Sequence, residues 1–581
     1  MNRTQAVALG EADADIVITG GRVFLPETRE FRALDVAIVD NEIAALPEEA
    51  TDVIGPETTQ LSAEGRVVLP GLIDAHTHVD TVQSLENAYH HVLATGTTTV
   101  VTEASGLGSL FGARGVEAFL AATAYLPITV RATVPTMPLV DTFEGRRANE
   151  ADAEALVELL DDDRVVGVGE TDWIHVVGRD HDLDELYEHA RRAGKPICGH
   201  GAGCRDETLT AFAGVVDNDH EAISGDGMVD RVERGIHTIG RYGTIRDDID
   251  ALADAVERIG PHELSLSTDG MWPRDLLGDG MMDAVVRRTI DAGVDPADAL
   301  RMATLQPARQ FGLDDRGSLA PGAVADVVIV DDLAAMNVTT VLSGGEVVVE
   351  KGEHRVAPRS HEYPAFVYDT IDVESDPDTF TIPASAADAN GQVRAIEVGD
   401  GLLSTETVVE PRVEDGELQA TPTSDIAKVT LLDRHPDADG TGFTGFLTGY
   451  GIEEGAIATS MTMEATGVLA VGASDDALST AVERVETQGG GWAVVRDGEA
   501  IAELPYRIAG VAADLEVEET AQLLNAVEKG SRSLGVDVAQ PLLTLTSLPF
   551  VGVPSFKLTC AGYADVLDRS VVGLTPDDGD A

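Results

Sequence analysis

From residue 71 to residue 316 the chain alternates short apolar runs with amphipathic stretches, and no other feature narrows its fold as much. TTTVVTEA, ITVRATVP, RVVGVGE, KPICGHG and ELSLSTDG read as strands. LDELYEHARRAG, RDDIDALADAVERIG and MMDAVVRRTIDAG carry the spacing of helices with one apolar face. Strands separated by helices form parallel sheets, because the crossover needs a helix. A span of about 245 residues is the size of a (β/α)8 barrel. The expected fold class is α/β, with a TIM (β/α)8-type barrel over 71–316.

On both sides of this region the pattern changes. Residues 13–70 hold short strands punctuated by Gly, Asn and Asp, as in ADIVITGGRVFL and LDVAIVDNEIAAL. Residues 317–360 read the same way, in GSLAPGAVADVVIVDDL and TTVLSGGEVVVEKGE. The two pieces are expected to form one small composite β-domain. The polar stretch within 361–394 reads as a linker, and 395–581 as a C-terminal α/β domain with strands such as KVTLLDRH and TGVLAVGA.

Composition narrows the function. A chain of 581 residues exceeds one ordinary core, so several domains are expected. Acidic residues number 102 against 40 basic ones, a formal net charge of −62. They are spread along the chain, which suits a surface working in high salt, where screening removes most self-repulsion. Such charge excludes nucleic-acid and anionic-membrane partners, which need basic patches. No apolar run approaches the roughly 20 residues of a membrane span, and the N-terminus lacks a signal-peptide core, so a cytoplasmic location is expected. The three cysteines, Cys198, Cys204 and Cys560, form no CxxC pair, so neither a disulfide framework nor a thiolate zinc site is expected; Cys198 and Cys204, flanking His200, read as buried small hydrophobes.

The segment VVLPGLIDAHTHVD carries the strongest chemical signal. An apolar strand ends in His76 and His78, and residues i and i+2 of a strand share a face. At the carboxyl end of a first barrel strand, both imidazoles would converge on the mouth, where barrel active sites lie. Two converging imidazoles suit a divalent transition metal. Glu170 closes RVVGVGE, His200 closes KPICGH, His220 lies in VVDNDHE and Asp269 closes ELSLSTD. Taken singly, each is better explained as a satisfied polar residue or an N-cap than as a ligand, and Asp269 before Gly270 as a turn residue. Their shared position at successive strand ends carries the reading. Four His, one Glu and one Asp suit two divalent ions sharing a carboxylate, with Mn²⁺, Fe²⁺ and Zn²⁺ all compatible.

PGLIDAHTH, the Glu of VGVGE, GHGAG, DHE, STDG and MATLQPARQFGL occur here in the order found in amidohydrolases. Further on, GAIATS, QGGGWAVVRDG, LPYRIAG and SLPFVGVPSFKLT resemble the C-terminal domain of adenine deaminases. The chain thus resembles the adenine deaminase family from about 13 to 568, as a divergent, haloarchaeal-type member. The resemblance implies hydrolysis of adenine, in purine salvage, to hypoxanthine and ammonia by a metal-bound hydroxide. It implies His76, His78, Glu170, His200, His220 and Asp269 as metal ligands, with Glu170 bridging two ions, Mn²⁺ favoured. Asp269 is then also the group that moves the proton of the attacking water, and Glu221 a second candidate for proton transfer or purine contact. The expected partner is a small purine, and the expected assembly a homo-oligomer.

Three stretches depart from the family pattern. Glu103-Ala104-Ser105-Gly106 stands where the family has Asp-Pro-His-Glu. Thr268 to Pro273 replaces TDDRHP, and Met463 to Gly467 replaces His-Asp-Ser-His-Asn. Changed hydrogen-bonding groups alter which ring substituents a site accepts. Another cyclic amidohydrolase reaction on the same metals, or a catalytically silent purine-binding relative, therefore stays open. Trp173 and Trp272, near Glu170 and Asp269, are either stacking surfaces for a planar ring or core residues. His175, His181, His237 and His435 lack strand-end placement and read as non-ligands. The H-x-E and P-C-x-x-C of zinc base deaminases and the G-x-x-x-x-G-K-[ST] phosphate loop are missing.

Overall fold

The structure is a computed structural model that describes residues 2–140, 143, 150–178, 183–399, 402–434, 440–463 and 467–576. Its centre is a parallel barrel of eight strands. They are β1 (Leu72–Thr77), β2 (Thr97–Thr102), β3 (Thr129–Val134), β4 (Val165–Asp172), β5 (Ile197–His200), β6 (Asn218–Asp219), β7 (His237–Arg241) and β8 (Leu264–Ser267). Each pairs with its neighbour in chain order.

The ring closes between β8 and β1 by other means than a ladder. The Asp269 N–H donates to the His76 carbonyl at 3.0 Å. The fully buried Asp74 carboxylate accepts from the Thr268 N–H at 3.0 Å and its hydroxyl at 2.5 Å. Burial pushes the Asp74 carboxyl up to about 7. A carboxyl buried at the seam thus orients the two strands that end in His76 and Asp269.

The outer helices form where apolar residues recur every three or four positions. Asp184–Ala193 buries Leu186, Tyr187 and Ala190, and Ile249–Ile259 buries Ile249, Leu252 and Ala255. Each fully buried Leu or Ile among them contributes about 1.5–3 kcal/mol. Inside the barrel, Ile73, Ala75, Val101, Val166, Cys198 and Ile239 pack with Phe311 and Leu313, so Cys198 serves as core.

Segments from both sides of the barrel share one sheet. Val327–Val330 pairs antiparallel with Val67–Pro70, which runs directly into β1. Residues 361–394 carry packing of their own: Tyr363 and Val367 join the barrel cluster, and Phe380 is buried against Leu432 and Val468. Beyond them, strands between Val393 and Pro505 build an eight-stranded sheet, with helices Asp475–Thr487 and Val517–Ser533. This domain docks on the barrel mouth, where Val82–Gln83 pairs with Ala512–Ala513. Among the described residues no helix is long and apolar enough to cross a membrane.

Candidate metal centre

The carboxyl ends of the barrel strands gather the six ligand candidates. His76 lies in β1 with His78 just beyond it, Glu170 in β4, and His200 at the end of β5. His220 and Asp269 follow β6 and β8 closely. His76, His78, Glu170 and Asp269 form one convergent group. Glu170, His200 and His220 form a second, and the two meet at Glu170. A third combination joins His220, Glu221 and Asp269.

The spacing fits cations held between these atoms. His76 Nε2 lies 3.3 Å from Asp269 Oδ1 and 3.5 Å from Glu170 Oε1. His78 Nε2 lies 3.5 Å from the same Asp269 oxygen, and His220 Nε2 3.1 Å from Glu170 Oε1. Ligands about 2.1 Å from one ion, at near-tetrahedral to octahedral angles, sit ~3.0–3.5 Å apart. His76 Nε2 is buried and makes no hydrogen bond, so its lone pair has no other use. Family and cluster together define a divalent metal site.

The electrostatics of the mouth favour a cation. Burial opposes ionisation of Asp269, yet His76, His78 and Arg241 hold its carboxyl well below the usual range. Burial likewise opposes ionisation of Glu170, and His220, His76 and His78 bring it well below normal. Burial works against protonated His200, but Glu221, Asp172 and Glu170 push it up to about 10. Metal binding must displace such protons, so affinity will rise with pH.

Several residues that sequence reasoning did not assign complete the site. Glu103, 2% exposed, places Oε1 3.3 Å from His76 Nδ1. Asp172 Oδ1 is 3.2 Å from His200 Nδ1, and Ser105 Oγ is 3.3 Å from His78 Nδ1. His76 and His78 thus have an oxygen on the ring nitrogen turned away from the centre, and His200 has the Asp172 carboxylate beside its own. Arg241 ends β7 and bonds Glu221, Asp248 at 2.9 Å and Asp269 at 3.1 Å. Asp219 accepts from the Gly201 and Glu221 N–H groups and pairs with Arg231, which ties the loop after β5 to the loop after β6. Asp269 itself adopts φ 53°, costly for a residue with a side chain, and its N–H bond to His76 holds it there.

A cavity of about 950 Å³ opens above this cluster. Trp173, Met271 and Trp272 line its barrel side, and Met463, Leu543 and Phe550 of the C-terminal domain roof it. The Trp173 indole N–H donates to the Ala202 carbonyl at 2.8 Å, and Trp272 packs into the C-terminal cluster, so each tryptophan is both cavity wall and packing residue. Glu221 lines the cavity with Oε1 3.6 Å from His200 Nε2 and 3.5 Å from His220 Nε2. His237 bonds Ser265 at 2.7 Å from the start of β7, at the opposite end of that strand from the cavity. His175 is buried near the mouth but belongs to no convergent ligand group. His181, His435 and the replaced residues 464–466 lie outside the described residues.

The Amidohydrolase family matches residues 67–348, and with the barrel and the strand-end cluster this marks the chain as a metal-dependent hydrolase acting on C–N bonds. The Adenine deaminase C-terminal domain matches residues 402–570. The chain belongs to the adenine deaminase family. The adenine deaminase of Methanothrix thermoacetophila is 30% identical to it over 573 residues, covering 98% of each chain. That of Nitratidesulfovibrio vulgaris is 31% identical, covering 97% of each. Among solved structures, the β-aspartyl dipeptidase of Fervidobacterium islandicum AW-1 aligns with 59% of this chain and 98% of its own, at 19% identity and a TM-score of 0.46.

Proposed function

We propose that this chain hydrolyses adenine to hypoxanthine and ammonia, as a step of purine salvage. In this reading His76, His78, Glu170, His200, His220 and Asp269 would hold two divalent cations, the Glu170 carboxylate belonging to both ligand groups. The carrying observation is the meeting of two ligand groups at Glu170, beneath the cavity, in a chain related to adenine deaminases over its full length. Mixed imidazole and carboxylate donors suit manganese, with iron or zinc as alternatives.

Divalent cations bound there lower the pKa of water toward neutrality. The protein's residues orient the reactants and move protons. Arg241 holds Asp269 Oδ2 and leaves Oδ1 facing the ligand imidazoles. Asp269 is thereby placed to take a proton from water and return it to the purine or the departing amine. Glu221, held by Arg241 at the cavity floor, is the second proton carrier or a contact for the ring. Trp173, Trp272 and Phe550 offer apolar surface to a planar base and limit water. A C6–O bond forms, the C6–N bond breaks, and the amine leaves as ammonia. The small, odd cysteine count and the acidic composition support work in the reducing cytoplasm of a salt-rich cell, and the chain is read as a homo-oligomer.

The test is ammonia release in molar KCl with Mn²⁺, offering adenine beside guanine, cytosine, adenosine and hydantoin-type amides. Adenine turnover, abolished in His76→Ala and Asp269→Ala, is the expected result. Metal uptake with no ammonia from adenine, and turnover of a cyclic amide instead, would overturn the substrate and leave the metal centre standing. Metal uptake with no turnover of any substrate would mean a silent binding protein.

A further inference from the structure

Glu103 touches the metal centre in a way that its place beside β2 does not require. One oxygen, Oε1, stands 3.3 Å from His76 Nδ1. The other, Oε2, accepts from the Glu170 backbone N–H at 2.7 Å and from the Thr133 hydroxyl at 3.0 Å. A single buried carboxylate therefore reaches β1, β3 and β4 from the end of β2. Residue 169 must be glycine for this: a Cβ there would lie 2.4 Å from Glu103 Oε2 and 2.9 Å from the Val134 carbonyl. The backbone of β4 comes this close to the side chain because nothing stands between them.

We propose that Glu103 is a positioning residue that couples the two ligand groups, setting the His76 ring and the Glu170 backbone with one carboxylate. The inference rests on the reading of the mouth as a metal centre. With Oε1 accepting from Nδ1–H, the lone pair of His76 is confined to Nε2, the buried atom that faces Asp269 and Glu170. The carboxylate also makes the imidazole more basic and a stronger ligand. With Oε2 accepting from the Glu170 N–H, the shared ligand is fixed along its strand, and Glu170 cannot shift without pulling on the partner of His76.

Glutamine cannot replace this function although it has the same shape. Two donors from the clamp, the His76 Nδ1–H and the Glu170 N–H, face the two terminal atoms of residue 103. A carboxylate accepts at both; an amide has one oxygen, and its NH2 group would meet a second donor. Glu103→Gln therefore loses either the ring or the backbone contact. Glu103→Asp keeps two acceptors on a shorter stem. Thr133→Val removes one donor from Oε2 and leaves the clamp itself.

The experiment strips the full-length protein of metal in molar KCl and titrates it with Co²⁺, following the visible spectrum. For Glu103→Gln, affinity of at least one Co²⁺ phase should fall by about 10–100-fold, with a changed ligand-field band. Thr133→Val should lie close to wild type, and Glu103→Asp should recover part of the loss. Wild-type affinity and spectrum in a folded Glu103→Gln protein would overturn the proposal and leave the metal centre intact. A wild-type protein that takes up no Co²⁺ would overturn the metal reading, and this proposal with it. If Glu103→Gln does not fold, the comparison moves to Glu103→Asp and Thr133→Val. There, Glu103→Asp must bind more weakly than Thr133→Val, and equal wild-type behaviour of both would again overturn the proposal.

Discussion

At the mouth of the barrel one buried guanidinium bridges three carboxylates. Arg241, 2% exposed, meets Glu221, Asp248 and Asp269, and their charges keep it protonated against burial. Removing one partner from a buried ionic network costs about 3–5 kcal/mol, because the remaining charge stays buried. Arg241→Met should therefore lower unfolding stability by that amount in denaturant titration. It should also reduce deamination at saturating adenine, since Asp269 loses its tether. A variant as stable and active as wild type would show that the carboxylates are neutralised by other means. Arg241 was not legible in the sequence. Its strand, HTIGR, has one aliphatic residue and does not read as a strand at all. Glu103 was legible only as a departure from the family pattern, because no local signal links it to a histidine on another strand.

Among the elements, the helix Leu85–Ala94 carries two buried titratable groups with opposite effects on pH stability. Burial, aided by His91 and His354, lowers the pKa of His90 from 6.5 to about 4. The unfolded chain then binds a proton that the folded chain refuses between those values. Stability is full above about pH 6.5 and declines as pH falls toward 4. Glu86 acts in reverse: burial raises it from 4.5 to about 7, so its contribution is lost as pH rises through that window. Replacing His90 by Gln should shrink the drop in melting temperature between pH 7 and pH 5, measured at constant KCl. An unchanged drop would mean that His90 is protonated in the fold without cost. The barrel elements differed in legibility for a plain reason. β2, β3, β4, β5 and β8 each carry aliphatic residues within a short β-type pattern, whereas β6 is the two residues Asn218–Asp219, both buried polar groups. The Asp219 bonds to Gly201, Glu221 and Arg231 position that strand, and such bonds leave no periodicity.

For the whole molecule, charge and domain docking set the behaviour. A net charge of −62 repels itself, and the repulsion is screened as the Debye length falls to about 3 Å at 1 M salt. The melting temperature should therefore rise with KCl from about 0.1 M to above 1 M. A flat or falling curve would mean that the acidic surface is not an adaptation to salt. The docked C-terminal domain completes the cavity, with Phe550 5.3 Å from the His200 ring and edge-on to it. Phe550→Ala should raise KM for adenine several-fold, with a smaller change in kcat, because it removes apolar contact shared by substrate and transition state. An unchanged KM would place the base away from the roof.

By itself the sequence determined the barrel and the kinds of atom at its mouth. Both are written locally: apolar runs end in His, Glu or Asp, and a strand's last residues fall at one end of a parallel barrel whatever the rest of the chain does. The tertiary structure alone decided which of these atoms face one another and what holds them. Glu103 meets His76, Asp172 meets His200, Arg241 meets Asp269, and Asp74 closes the seam, each across strands. The roof over the site comes from residues hundreds of positions away. Contacts of that kind depend on register and docking between distant segments, and no periodicity within a single segment can encode them.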